Sequence, residues 1–165
     1  MKNVILIGMP GSGKSTIGVV LAKVLGYEFI DTDILIQKLE GKKLSKIIEE
    51  KGIEGFVSLE NRVISEIKAK RHVIATGGSA VYGKEAMEHL KSIGKIVYLK
   101  IGYKELCKRL GDLKARGVVL KEGQTFSELY KERIPLYELY ADFTIDEKNK
   151  YIREIVDEIE KLNFK

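Results

Sequence analysis

A chain of 165 residues, 44% hydrophobic and 32% charged, has the size and balance of one folded domain with a real core, and two prolines with no low-complexity run exclude a disordered tail or linker. The formal charge of +5 raises nucleic acid as a partner. The lysines are scattered among glutamates, however, as in KKLSKIIEEKG, which excludes a basic block and leaves a solvated surface whose field suits a small anion. A single cysteine, Cys107, excludes an internal disulfide, and with His72 and His89 as the only histidines a Cys/His zinc site is not expected. The longest apolar runs are strand-sized, so neither a membrane span nor a signal peptide is expected, and a reducing cytoplasm is the expected setting.

The first β-rich run, Val4–Ile7, leads into GMPGSGKST over Gly8–Thr16, a full match to G-x-x-x-x-G-K-[ST]. A helical pattern, Lys14–Leu25, follows. Glycines let successive N–H groups turn inward around phosphate oxygens, and the helix N-terminus adds the positive end of its dipole. The spacing therefore places Gly11, Ser12, Gly13, Lys14, Ser15 and Thr16 around a nucleoside triphosphate. Lys14 is set to reach its β/γ-phosphates and the Ser15 hydroxyl to ligate Mg²⁺.

A second run, Glu28–Ile30, ends in Asp31 and Asp33. Residues two apart in an extended segment point the same way, so both carboxylates face the phosphate loop. Asp31 is the candidate for the Mg²⁺ shell and Asp33 for accepting a proton from an attacking hydroxyl. The alternative is that Asp33 only caps the helix beginning ILIQKLE. Phe56, Leu59, Val63 and Ile67 then mark one face of a helix from about Ile53 to Ala69.

A third strand, His72–Ala75, runs into Gly77 and Gly78, where a backbone can approach a ligand closely or turn tightly. Strands follow at Ile96–Lys100 and Phe143–Ile145, and Tyr151, Ile152, Ile155, Val156, Ile159 and Leu162 give a terminal amphipathic helix. Alternating strands and helices predict an α/β fold: a three-layer αβα arrangement around a five-stranded parallel sheet. Ligands in such sheets gather beyond the carboxyl ends of the strands, which is where the glycine loop, the aspartates and the glycine pair all fall.

Together with F-x-x-x-E at Phe56–Glu60, GG-x-A-V at Gly77–Val81 and R-x-P-L-Y at Arg133–Tyr137, these pieces resemble the shikimate kinase family, in the nucleoside-monophosphate-kinase-like group of P-loop proteins. The resemblance runs the whole length. It implies one kinase domain over 1–165 with a helical lid at about 109–124. It also implies ATP and Mg²⁺, a monomer, and transfer to a hydroxyl of a small metabolite, shikimate in that family, for aromatic amino-acid biosynthesis. Arg116, in KARGVVL, matches the lid arginine that contacts the transferring phosphate. Arg109 matches the one lying against adenine, and Arg133 the one binding the shikimate carboxylate. Asp33, Val57, Gly77, Gly78, Ser79 and Arg133 fall on the family's acceptor positions.

Three departures stand out. The family's F-R-x-x-E carries an arginine where GFVSLE has Val57. A hydrogen bond to a charged group contributes about 1.5–3 kcal/mol, so its loss weakens a carboxylate substrate by about ten- to a hundredfold. Asn61 shares Val57's helix face but is no cation, and Arg62 lies far round the helix. The family's third glycine is Ser79, and RGVVL replaces RPLL in the lid. Either shikimate is held by Arg133 and a rearranged neighbour, or the acceptor is a different hydroxylated metabolite. A nucleotide switch or ATPase accounts for the phosphate loop alone.

Overall fold

The β-branched runs become five strands in the computed structural model, which describes residues 2–110, 118–162 and 164. They are β1 (Asn3–Ile7), β2 (Glu28–Asp31), β3 (His72–Ala75), β4 (Gly94–Lys100) and β5 (Phe143–Asp146), all parallel, in the order β2-β3-β1-β4-β5. Every residue of the central β1 is buried, because helices cover both faces. Alternation along β1 divides the core. Val4 and Leu6 pack with Ile17 and Leu21 of α1 (Lys14–Leu25), while Ile5 and Ile7 face the opposite layer.

Six further helices among the described residues complete the layers: α2 (Thr32–Glu40), α3 (Leu44–Ser65), α4 (Lys84–Ile93), α5 (Tyr103–Arg109), α6 (Phe126–Tyr140) and α7 (Ile152–Glu160). Ile155 and Ile159 of α7 join α1 on one face, and Met87 and Leu90 of α4 with Tyr137 of α6 close the other. A single 3₁₀ turn, Ala80–Tyr82, precedes α4. Among the described residues no helix is long and apolar enough to cross a membrane.

Two local readings are corrected. The helix expected over 53–69 starts at Leu44, ends at Ser65 and is broken at Gly52, whose φ of 72° only glycine adopts without strain. About half of the stretch before Gly52 is lysine and glutamate, which disguised a helix that buries Ile47. The cap of α2 is Asp31, not Asp33: its Oδ1 accepts from the Asp33 and Ile34 N–H groups at 2.9 and 3.2 Å. Capping by Asp31 leaves the Asp33 carboxylate free to turn inward. Of the expected lid at 109–124, residues 111–117, and Arg116 with them, lie outside the described residues. Residues 118–124 run without helix, with Val118 and Val119 buried.

Strand register brings the loops together. Leu6 pairs with Ala75 and Asp31 with Ala75, so the chain leaves β1, β2 and β3 at one edge. Two contacts then fix the exits. Thr76 Oγ1 donates to the Leu6 carbonyl at 2.9 Å, and the Gly77 N–H donates to the buried Thr32 Oγ1 at 3.1 Å.

Candidate active site

Beyond that edge lies a cavity of about 310 Å³. Its first wall is the phosphate loop, where Gly11 and Gly13 have φ of 83° and 86°, values that turn consecutive amides to the same side. Lys14 arches over this loop and is 7% exposed; its Nζ donates to the Gly8 and Met9 carbonyls at 2.8 Å each. Ser12 is buried beneath, while Ser15 and Thr16 sit exposed at the rim. Burial pushes the Lys14 amine down to about 8, against the pull of Asp33. Burial likewise raises Asp33 to about 6, helped by neighbouring Asp31 and opposed by Lys14. Desolvation thus outweighs the attraction between the two, a balance that an incoming polyphosphate would reverse at the lysine.

At the rim, Ser15 Oγ donates to Asp31 Oδ2 at 2.5 Å. A hydroxyl and a carboxylate side by side next to a phosphate loop form a hard-oxygen pair of the kind Mg²⁺ accepts when phosphates and water complete its shell. Among the described residues no group of three or more His, Cys, Asp or Glu converges on a metal position, so the pair suits a shared ion rather than an all-protein cage.

The opposite wall, where the sequence analysis expects the acceptor, is built from distant segments. A Cβ on Gly77 would lie 2.6 Å from Asp33 Oδ1 and 2.7 Å from Glu60 Oε2. One on Gly78 would lie 2.8 Å from both Arg133 Nη1 and Pro10 Cδ. The glycine pair is therefore required by close approach, not by an unusual φ. Arg133 and Tyr137 stand four apart on α6 and face the same way. The Tyr137 hydroxyl donates to the Gly78 carbonyl at 2.7 Å and fixes the turn. Arg133 is 1% exposed, donates from Nη2 to the Val119 carbonyl at 3.2 Å and lies 5.3 Å from the Tyr82 ring centroid. Among the described residues no carboxylate forms a salt bridge with it. A buried guanidinium without a counter-ion is costly, and an anionic ligand supplies one.

The structure brings Gly11, Gly13, Lys14, Ser15, Thr16 and Asp33 to the same cavity as Gly77, Gly78, Ser79 and Arg133. Ser12 and Asp31, described above, do not line it, and Arg109 and Val57 lie elsewhere. Arg109 ends α5 beside the phosphate loop, with Nη1 3.4 Å from the Gly11 carbonyl and 3.5 Å from Glu147 Oε1. Val57 lines a neighbouring cleft of about 440 Å³ with Ile53, Tyr82 and Leu129, separated from the main cavity by Val119, which borders both. Asn61 is no substitute for a cation there: it accepts from the Ala86 N–H at 2.9 Å and donates to Glu85 Oε2 at 3.0 Å, holding the start of α4. Sequence reasoning quoted Glu60 in F-x-x-x-E but gave it no role; it is 1% exposed and packs against Gly77, behind the residues that line the cavity. The available signal was its place one turn beyond Phe56, on the buried face of α3.

A parallel sheet in this order, with a phosphate loop after its central strand and a second, anion-ready wall opposite, defines a P-loop phosphotransferase. More narrowly, the chain belongs to the shikimate kinase family, whose model matches residues 10–163. It is 38% identical to the shikimate kinase of Caldanaerobacter subterraneus subsp. tengcongensis over 162 residues, 96% of this chain and 94% of that one. It is 43% identical to that of Clostridium botulinum (strain 657 / Type Ba4) over 143 residues, 84% of each. Among solved structures it is similar to shikimate kinase from Acinetobacter baumannii in complex with shikimate. The TM-score is 0.89 at 34% identity, covering 99% of this chain and 96% of that one. Shikimate kinase from Aquifex aeolicus also matches, with a TM-score of 0.81 at 34% identity over 95% and 93% of the two chains.

Proposed function

We propose that the chain transfers the γ-phosphoryl group of ATP to a hydroxyl of shikimate, giving shikimate 3-phosphate and ADP. The observation that carries this reading is the buried Arg133, free of any salt bridge among the described residues, beside a Gly77–Gly78 turn that also meets Asp33. A carboxylate on the guanidinium brings a ring hydroxyl toward Asp33, with the phosphate loop across the cavity. ATP lies with its phosphates along Gly11–Thr16, and Lys14 exchanges the Gly8 and Met9 carbonyls for phosphate oxygens. Ser15 and Asp31 hold Mg²⁺, which when bound supplies charge neutralisation at the phosphates. Asp33 orients the acceptor hydroxyl and takes its proton. In a loose transition state, positioning and electrostatics do most of the work. By resemblance, Arg116 contacts the moving phosphoryl group and Arg109 the adenine. The chain acts as one kinase unit over 1–165, as a monomer in the cytoplasm.

A coupled ADP-release assay with ATP and Mg²⁺, with and without shikimate, tests this, with Lys14→Ala as the blank. Saturable shikimate-dependent release is expected. A second reading, a different hydroxylated acceptor, is favoured by Val57 lying in the neighbouring cleft and supplying no cation. Intact ATP binding with no response to shikimate would select it.

A further inference from the structure

A chain of two hydrogen bonds leads from the buried Arg133 to a carboxylate that it does not touch. Arg133 Nε donates to the Tyr82 hydroxyl at 3.4 Å, and that hydroxyl donates to Glu132 Oε2 at 2.7 Å. The first contact is long, and the ring reinforces it, with the guanidinium carbon 5.3 Å from the Tyr82 centroid. Glu132 and Arg133 are consecutive on α6, and neighbours in a helix do not face each other. Tyr82 ends the 3₁₀ turn that follows Gly77–Ser79, and its hydroxyl spans the gap between them.

Glu132 is ionised at neutral pH. The Tyr82 hydroxyl foremost, with Lys121 Nζ at 3.1 Å and Gln124 Nε2 at 3.2 Å, holds its carboxyl below the ordinary value against burial. Burial keeps the Tyr82 hydroxyl above its own ordinary value, so it retains the proton it gives to Glu132. Arg133 also favours ionisation of Glu60, but burial pushes that carboxyl up to about 8 and it supplies little charge at pH 7. The two terminal nitrogens of Arg133 are left for other work. Nη2 donates to the Val119 carbonyl at 3.2 Å, and Nη1 stands on the cavity wall, 2.8 Å from where a Gly78 Cβ would lie.

We propose that Glu132 is a positioning residue for the acceptor: through the Tyr82 hydroxyl it anchors the Nε edge of Arg133 and so holds Nη1 toward the cavity for the acceptor's carboxylate. This rests on the reading that Arg133 binds that carboxylate. A guanidinium is a rigid plane, so fixing one edge sets the direction of the others. A carboxylate bonded directly to the fork would compete with the acceptor, whereas one placed behind a hydroxyl offsets the buried charge and leaves Nη1 available. Val57 borders the same cleft as Tyr82 and Glu132 and, being apolar, does not compete for Glu132.

The test follows KM for shikimate, KM for ATP and kcat. Tyr82→Phe keeps the ring and loses the hydroxyl, and Glu132→Gln keeps the shape and loses the charge. Each raises the shikimate KM about three- to tenfold and leaves the ATP KM and kcat within about twofold. The double variant is no worse than the more impaired single, because both break the same chain. Lys121→Met removes another partner of Glu132 but leaves the chain intact, and keeps the shikimate KM within about twofold. The proposal is overturned by single variants with a wild-type shikimate KM, by effects that add in the double variant, or by Lys121→Met as impaired as Glu132→Gln. The nuclear magnetic resonance signal of the Arg133 Nε–H, assigned by its loss in Arg133→Lys, gives a reading that needs no turnover. Without ligand it moves upfield in both Tyr82→Phe and Glu132→Gln and holds its place in Lys121→Met. A signal that stays put in either of the first two overturns the chain. Should the wild type neither bind nor turn over shikimate, the functional reading falls, and this signal alone then decides whether Glu132 anchors Arg133.

Discussion

The two walls of the cavity are made by opposite means. The phosphate wall is one unbroken run, Gly8–Thr16, closed on itself by Lys14, whose Nζ donates to the Gly8 and Met9 carbonyls. The opposite wall collects Asp33, Gly77–Ser79 and Arg133 from three segments, with Glu60 packed behind Gly77, and depends on their meeting. A contiguous site tolerates little change, because each residue shares the loop's geometry with the next. An assembled site can lose a member, as it has at Val57, and be adjusted by another, as at Ser79. The difference teaches that the reaction class is held locally in the chain and the choice of acceptor is distributed over it.

The sharpest break comes at Lys14. Lys14→Ala is expected to abolish phosphoryl transfer, a loss of at least about a thousandfold in kcat read by ADP release, because the loop loses both its charge and its internal clasp. Asp33→Asn follows, with turnover down by about a hundredfold or more and ATP affinity unchanged by calorimetry. Since Asp31 caps α2, the folding stability of Asp33→Asn is expected to stay near wild type; a large loss in Tm would return Asp33 to a structural role. On the acceptor wall, Arg133→Met should raise the acceptor KM by about ten- to a hundredfold and leave the ATP KM alone.

Gly77→Ala probes the convergence itself. The added methyl would stand 2.6 and 2.7 Å from two carboxylate oxygens, so a destabilisation of about 1–3 kcal/mol is expected in chemical unfolding, together with a higher acceptor KM. A further effect is purely thermodynamic. The folded state holds the Glu60 proton up to about pH 8, whereas the unfolded chain releases it near the ordinary value of 4.5. Wild-type stability therefore falls through that window as pH rises, and Glu60→Gln lacks this slope. The Tm advantage of Glu60→Gln over wild type should grow between pH 5 and 8 and level off beyond.

The same contrast governs what the sequence disclosed. All five strands were legible because β-branched runs flanked by loops carry a period of their own, and the ends differ by at most two residues. The phosphate loop was legible as spacing. Gly52 hid the true start of α3, because a break inside a charged run carries no periodic signal. Capping was considered only for Asp33, as the alternative to its catalytic role, and falls to Asp31 instead, because sequence separation does not say which of two carboxylates turns back on the backbone. Glu60, quoted in F-x-x-x-E, was given no role for a related reason: a glutamate on a helix reads as solvated until the neighbour that buries it, here the Gly77–Ser79 turn from beyond the next strand, is in place.

Arg133 carries one further consequence. Its guanidinium touches the acceptor pocket through Nη1 beside Gly78 and the 118–124 segment through Nη2 on the Val119 carbonyl. One rigid planar fork thus serves two clients. An acceptor that draws the fork toward itself alters the hold on that segment, and whatever secures the segment alters acceptor affinity by the same factor, since linkage is reciprocal. Titrating shikimate in the presence and absence of nucleotide measures that factor directly, so a single side chain becomes the place where the timing of two binding events is decided.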